Sequence, residues 1–232
     1  MDLLSFRHSV ATVGWAVTVP IIDATEVSEL RACVTAHARS GRGGARNLLD
    51  DPQIASLAAA PVLRQFADVV LGKACFAVRA IFFDKTRDAN WKVIWHQDLT
   101  VAVQQRIDLL GYGPWTDKAG VPHVQPPVDI LEHMLAIRIH LDPCGDDNGP
   151  VRVLDGTHRL GRLTPQAIDE LRHNAQNRFV SRTRGRSSPF TRSFSTPRAQ
   201  PPAPNTGASF TSSTPCERSL RRSSGIVRLP NL

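Results

Sequence analysis

The tetrapeptide Trp95-His96-Gln97-Asp98 sets an imidazole and a carboxylate two positions apart, at the end of an apolar run that begins at Asn90. In an extended chain, side chains two residues apart point to the same side. On a strand, His96 and Asp98 would aim at a common point and form two corners of a 2-His-1-carboxylate facial triad. That arrangement holds Fe(II) on one face and leaves the other open to cosubstrate and O2. A third corner has to come from another part of the chain. The tripeptide alone is a weak signal, since about nine of ten His-x-Asp occurrences are ordinary surface or core residues. Its surroundings therefore decide how much it means.

Those surroundings read as a mixture of strands and helices. Gly14 to Ile22 is apolar and β-branched and predicts a first strand interrupted by Pro20. Asp23-Ala24-Thr25-Glu26 predicts a helix start with a capping box, and Val27, Leu30, Val34 and His37 fall at the spacing of one inward stripe that ends near Ser40-Gly41. Asp51-Pro52 opens a short helix. Pro61 opens another, with Val62, Leu63, Phe66, Val69 and Val70 inward and Gly72 as its stop. From Cys75 the period changes, and residues 75–84 and 92–103 predict two strands. Residues 111–127 are rich in Gly and Pro and predict a long loop of the kind that covers a site or merely connects elements. After a helical turn near Asp129–His133, Leu135 to Asp142 alternates: Leu135, Ile137, Ile139 and Leu141 face one side, Ala136, Arg138, His140 and Asp142 the other. A turn at residues 146–150, a returning strand at Val151–Leu154, a second turn at residues 155–159 and a helix from Thr164-Pro165 complete the patterned part.

Beyond about Gln176 the pattern dissolves. Residues 177–232 hold ten Arg, no Lys and one acid, a net charge of +9, together with eleven Ser, seven Pro and six Thr. That leaves residues 1–176 with 18 basic and 20 acidic side chains, a net of −2. The chain's overall +7 thus belongs to its tail, and the body carries no electrostatic footprint for nucleic acid. The tail supports no 2.0 or 3.6 period and reads as disordered. The chain is long enough for one domain with a full core, and no run reaches the roughly 18–20 apolar residues of a membrane span. Met1 to Arg7 lacks the basic start and apolar core of a secretory signal, and Cys33, Cys75, Cys144 and Cys216 show neither a CxxC pair nor a disulfide framework. These features predict a cytoplasmic protein.

Several ordered motifs then carry a resemblance. Phe82-Phe83-Asp84-Lys85, the run from Asn90 to Thr100, the stretch Lys118 to Pro127, and Leu141-Asp142 through Asn148-Gly149-Pro150 resemble the phytanoyl-CoA dioxygenase family. Val153-Leu154-Asp155-Gly156-Thr157-His158-Arg159 is similar to a turn of that family, with Asp155 where Pro is usual. The resemblance spans roughly residues 10–175. It implies a mainly β fold with flanking helices, a double-stranded β-helix (cupin-like jelly roll), and a non-haem Fe(II)/2-oxoglutarate-dependent dioxygenase that hydroxylates a small-molecule substrate with O2. It further implies that His96 and Asp98 are metal ligands and that Ile81, Gln97 and Arg138 line the 2-oxoglutarate pocket. From the residues themselves, Ile81 is equally well plain strand core, and Arg138 a solvated strand face or a carboxylate partner. His158 is expected in a turn and not on iron. His123, His133 and His140 are expected as loop or supporting residues, and a zinc site on His140 and Cys144 lacks further ligands at suitable spacing.

The departure lies at the C-terminal end. Family members place a distal His and a 2-oxoglutarate-binding Arg on later strands, whereas no His follows His173 here. The expectation is a domain at residues 1–176, incomplete at its C-terminal end, followed by a tail at residues 177–232 from a shifted reading frame or an altered gene end. Such a chain would hold iron weakly and turn over little. Two rivals belong to other classes: a non-catalytic cupin-like binding module, and, ranked last, a protein that associates with nucleic acid through its basic tail.

Overall fold

Helices dominate the first third of the chain and build the wall against which the strands pack. A computed structural model describes residues 1–38, 44–85, 95–142 and 151–174, together with the backbone of four short strands between residues 177 and 215. Helix α1 (Leu3–Val13) begins at Asp2, whose carboxylate accepts from the Leu4 and Ser5 amides, and stops at Gly14 in a left-handed conformation. The sequence reading passed over this helix, although Phe6 and Val10 repeat at helical spacing and are both buried. Helix α2 (Ala24–His37) carries the expected capping box between Asp23 and Glu26, with Val27, Leu30 and Val34 buried. His37 is not buried with them; it lies exposed in the last turn. After the short strand β1 (Gly44–Ala45), α3 (Pro52–Ala59) and α4 (Pro61–Leu71) each open on a proline whose missing N–H costs nothing at that position. Phe6 of α1 meets Phe66 of α4 edge-on, with ring centroids 4.9 Å apart.

The strands are short and antiparallel. They comprise β2 (Phe82–Lys85), β3 (Val101–Ala102), β4 (Trp115–Lys118), β5 (Val121–Val124), β6 (Met134–Ile139) and β7 (Val151–Leu154). Strand β6 shows the predicted alternation in full. Leu135, Ile137, Ile139 and Leu141 join the helices in one core with Phe6, Val34, Leu63 and Phe66. The opposite side of β6 is covered as well: Ala136 packs with Trp15, Val17 and Val153, and His140 and Asp142 are buried. It is a second interior, not a solvated face.

Three sequence expectations need correction. Residues 14–22 form only isolated bridges at Trp15 and Pro20, and their side chains dock into two different clusters. Likewise, ladder pairing covers only residues 82–84 of the expected 75–84 strand and only residues 101–102 of the expected 92–103 strand, of which residues 92–94 lie outside the described residues. The Gly/Pro-rich stretch at 111–127 is a β-hairpin, β4–β5, closed by Ala119 (φ 59°) and Gly120 (φ 81°). Two consecutive left-handed residues make the turn whose twist suits a hairpin. An alanine at such a position, and a proline inside β5, hid it in the sequence. The expected turn at residues 146–150 lies outside the described residues.

Strands β8 (Asn177–Val180), β9 (Ser187–Phe190), β10 (Gly207–Phe210) and β11 (Ser212–Pro215) pair with β7, β6, β2 and β6 respectively. The tail sequence predicted no strand there. Ladder hydrogen bonds use the backbone, which every residue but proline supplies in full, so pairing needs no apolar alternation.

Candidate metal centre

His96 and Asp98 lie in a stretch, residues 95–100, that belongs to no ladder. The alternation expected of a strand survives there nonetheless. Trp95 and Gln97 are buried, while the His96 and Asp98 side chains are about half exposed, at 42% and 53%. Trp95 packs with Leu154, Leu163, Ile168 and Leu171, the last two on helix α6 (Pro165–Asn174). The Arg152 guanidinium covers its ring at 5.6 Å. Gln97 donates from Nε2 to the Gly161 carbonyl at 2.8 Å and accepts at Oε1 from the Leu163 amide at 2.8 Å. Both buried residues thus fasten the segment to the 154–171 unit, and His96 and Asp98 are left on the other side.

Their ligand atoms, His96 Nε2 and Asp98 Oδ1, are 3.9 Å apart. Neighbouring ligands on one metal ion sit about 3 Å apart, given bonds of about 2.1 Å, so a small side-chain adjustment brings both onto one ion. The nitrogen–oxygen donor pair suits Fe(II). Among the described residues no third imidazole, thiol or carboxylate joins them; one group of three such side chains does converge, but it is Cys33, His37 and Asp51.

A basic cluster adjoins Asp98. Arg79 Nη1 lies 3.4 Å from His123 Nε2, and Lys118 donates from Nζ to Thr100 Oγ1 at 2.8 Å. Burial pushes the Arg79 guanidinium down, opposed by the Asp98 carboxylate and reinforced by Arg46. Burial, then Arg79 and Arg46, push the Lys118 ammonium down, and Asp98 again opposes. His123 is buried, and desolvation lowers its pKa despite the hydrogen bond between Nδ1 and the Val121 carbonyl. Three cations therefore share the field of one carboxylate. Sequence reasoning missed this cluster because its members are scattered over residues 46–123 and meet only through the fold.

The other expected residues are placed as follows. Ile81 is buried but lies outside the helix-backed core that takes its neighbours Ala80 and Phe82. Arg138 sits on the second interior side of β6, its guanidinium 5.9 Å from the Phe83 ring centre. Ile81 and Arg138 thus both lie outside the helix-backed core, whereas the Gln97 amide is committed to Gly161 and Leu163. His158 is held in its turn, with Nε2 3.3 Å from the Ala11 carbonyl. A Cβ on Gly14 would come within 2.4 Å of His158 Nδ1, which makes glycine obligatory there. Asp155 accepts from the Trp15 indole at 2.7 Å, a use for the residue that departs from the family's proline. His133 caps the C-terminal end of helix α5 (Val128–Glu132), its Nδ1 2.7 Å from the Asp129 carbonyl. Cys144 lies outside the described residues.

Antiparallel sheets with external helices give a fold similar to that of solved Fe/2-oxoglutarate oxygenases. EctD from S. alaskensis, solved with 2-oxoglutarate and 5-hydroxyectoine, is 16% identical; the match covers 93% of this chain and 76% of that one at a TM-score of 0.67. SnoK, a non-heme alpha ketoglutarate dependent carbocyclase from nogalamycin biosynthesis, is 11% identical over 98% of this chain and 93% of that one, with a TM-score of 0.66. AviO1 from Streptomyces viridochromogenes Tue57 is 14% identical over 98% of each chain, with a TM-score of 0.63. No curated protein sequence matches the chain. The model of the phytanoyl-CoA dioxygenase (PhyH) family matches residues 14–185, and the chain belongs to that family.

Proposed function

We propose that the chain is a non-haem Fe(II)/2-oxoglutarate-dependent oxygenase of a small-molecule substrate, built on a double-stranded β-helix whose metal centre is half furnished. The carrying observation is the approach of His96 Nε2 and Asp98 Oδ1 to 3.9 Å beside a surplus of positive charge. His96 and Asp98 would hold Fe(II), which when bound couples decarboxylation of 2-oxoglutarate to oxidation of a C–H bond by O2. Arg79 and Lys118, with Arg46 in range, supply the field that attracts a dianionic cosubstrate. Ile81 and Arg138 would line the 2-oxoglutarate pocket, and Gln97 keeps the ligand pair in place. EctD with bound Fe and 2-oxoglutarate supports the pairing of iron with this cosubstrate by analogy of fold.

With two ligand side chains, iron affinity is low and turnover small. In this reading residues 1–176 are the oxygenase domain, acting in the cytoplasm, and residues 177–232 are the product of a shifted frame or altered gene end. Calorimetric titration of the full 232-residue chain with Fe(II) and 2-oxoglutarate under anaerobic conditions tests it. The reading expects weak iron binding that strengthens with 2-oxoglutarate and is lost in His96→Ala and Asp98→Ala. Tight stoichiometric iron binding would overturn the half-furnished centre; no iron binding at all would overturn the oxygenase assignment. A centre with two ligands among the described residues also suits a non-catalytic binding module, which would bind a small molecule without forming succinate in the presence of O2.

A further inference from the structure

Away from His96 and Asp98, three donors of a different kind meet between the helices. Cys33 and His37 stand four positions apart on α2 and so share one face of it. Asp51 faces them from the N-cap of α3. Its two oxygens divide their work: Oδ1 accepts from the Gln53 and Ile54 amides at 2.8 and 3.2 Å, while Oδ2 lies 2.7 Å from His37 Nε2. The Cys33 thiol hydrogen-bonds to the same carboxylate. One sulfur, one nitrogen and one oxygen thus lie within 4.8 Å of one another.

We propose that Cys33, His37 and Asp51 form a second metal site, for a zinc-class divalent ion, separate from the His96–Asp98 centre. A tetrahedral ion with bonds of about 2.0–2.3 Å needs its ligand atoms about 3.3–3.8 Å apart, so modest side-chain movements suffice. The mixed soft and borderline donor set selects against calcium and magnesium, which take oxygen, and the thiolate favours a zinc-class ion. The helix cap already fixes the Asp51 carboxylate, and the α2 backbone fixes the Cys33–His37 spacing, so little ordering remains to be done on binding. On binding, the thiol gives its proton to solvent, the His37 ring proton leaves Nε2 for Nδ1 through exchange with solvent, and the Asp51–His37 hydrogen bond is exchanged for two metal bonds. Cys33 and Asp51 are half-buried and His37 is exposed, which leaves the fourth position to water. The ion would clamp the last turn of α2 to the start of α3, a structural or regulatory role independent of the oxygenase assignment.

Cobalt(II) is the probe, because a thiolate ligand gives it a near-ultraviolet charge-transfer band that nitrogen and oxygen ligands do not. The full chain, stripped of metal by chelator and kept reduced, is titrated with cobalt and then with zinc. The proposal expects a band saturating at one equivalent, abolished by zinc and retained in the His96→Ala/Asp98→Ala double variant. Cys33→Ser, which keeps a hydroxyl for Asp51, should lose the band. His37→Ala and Asp51→Asn, the latter still able to cap α3, should each weaken cobalt affinity at least tenfold. No band in the wild type, a band that survives Cys33→Ser, or one indifferent to both His37→Ala and Asp51→Asn would overturn the site.

Discussion

Replacing Gln97 by methionine separates its two candidate roles. The side chain is buried, and its amide holds the Gly161 carbonyl and the Leu163 amide, each at 2.8 Å. Methionine preserves most of the volume, so the loss is chiefly of hydrogen bonds and not of packing. Two backbone groups would be left without partners. Each costs about 1–3 kcal/mol when dry, and the half-buried setting of both lets some water in, so the expected loss is about 2–4 kcal/mol. Gln97→Glu should behave differently in kind: it keeps an acceptor for the Leu163 amide but turns a carboxylate oxygen toward the Gly161 carbonyl. Urea unfolding of wild type and both variants gives the numbers, provided the slopes agree. If Gln97→Met falls within about 0.5 kcal/mol of wild type, the bracing argument is wrong. If at the same time 2-oxoglutarate affinity drops, the side chain contacts the cosubstrate, as the family resemblance implied.

Leu135 is fully buried between β6 and the helices, and Leu135→Ala should cost about 2–5 kcal/mol in the same unfolding assay. His123 has a pKa held below its ordinary 6.5 chiefly by burial. The unfolded chain then takes up a proton that the folded chain resists, so stability is full above about 6.5 and falls as pH drops below it. His123→Gln should flatten that part of the stability–pH curve, and an unchanged slope would show that another group sets it. The coding DNA after codon 176, read in its other two frames, should encode a strand-like run with a His and a downstream Arg; if neither frame does, the shifted-frame account of the tail fails.

What was legible in the sequence follows the range of the interactions involved. Helices α2, α3 and α4 announced themselves because capping, proline and helical spacing are local, and β6 because large aliphatic residues take its helix-facing side while its other side holds small and polar ones. Strand extents were overestimated for a physical reason. Cys75 to Asp84 is as apolar and β-branched as a strand, but much of that character serves burial: Cys75 and Ala80 belong to the helix-backed core without continuous ladder pairing. The hairpin at 115–124 was missed because its turn uses Ala119 in a conformation that favours glycine or asparagine. The Arg46–Arg79–Lys118 cluster left no local trace at all. Cys33 and His37 did carry one, a four-residue spacing on a helix, but their partner Asp51 is brought in by the fold.

The His-x-Asp segment shows why a motif can be right when the element assigned to it is not. Side-chain alternation is a property of extended backbone, and it holds whether or not a neighbouring strand completes a ladder. Here the work of a ladder is done by side chains. Trp95 is sunk among Leu154, Leu163, Ile168 and Leu171, and Gln97 is bonded at both ends of its amide, so the intervening residues have only one direction left. The direct contacts that present His96 and Asp98 come from residues 154–171, and among the described residues the Arg-rich tail meets that unit through the β8–β7 ladder. That separates two properties that fail together in most damaged metal sites. Mutating Trp95 or Gln97 should disperse the ligand pair, whereas changing the tail should alter how many ligands the ion finds and leave the pair where it is. A tail-deleted chain that still binds iron as weakly as the full one, and still loses that binding in His96→Ala, would be the signature of such a division.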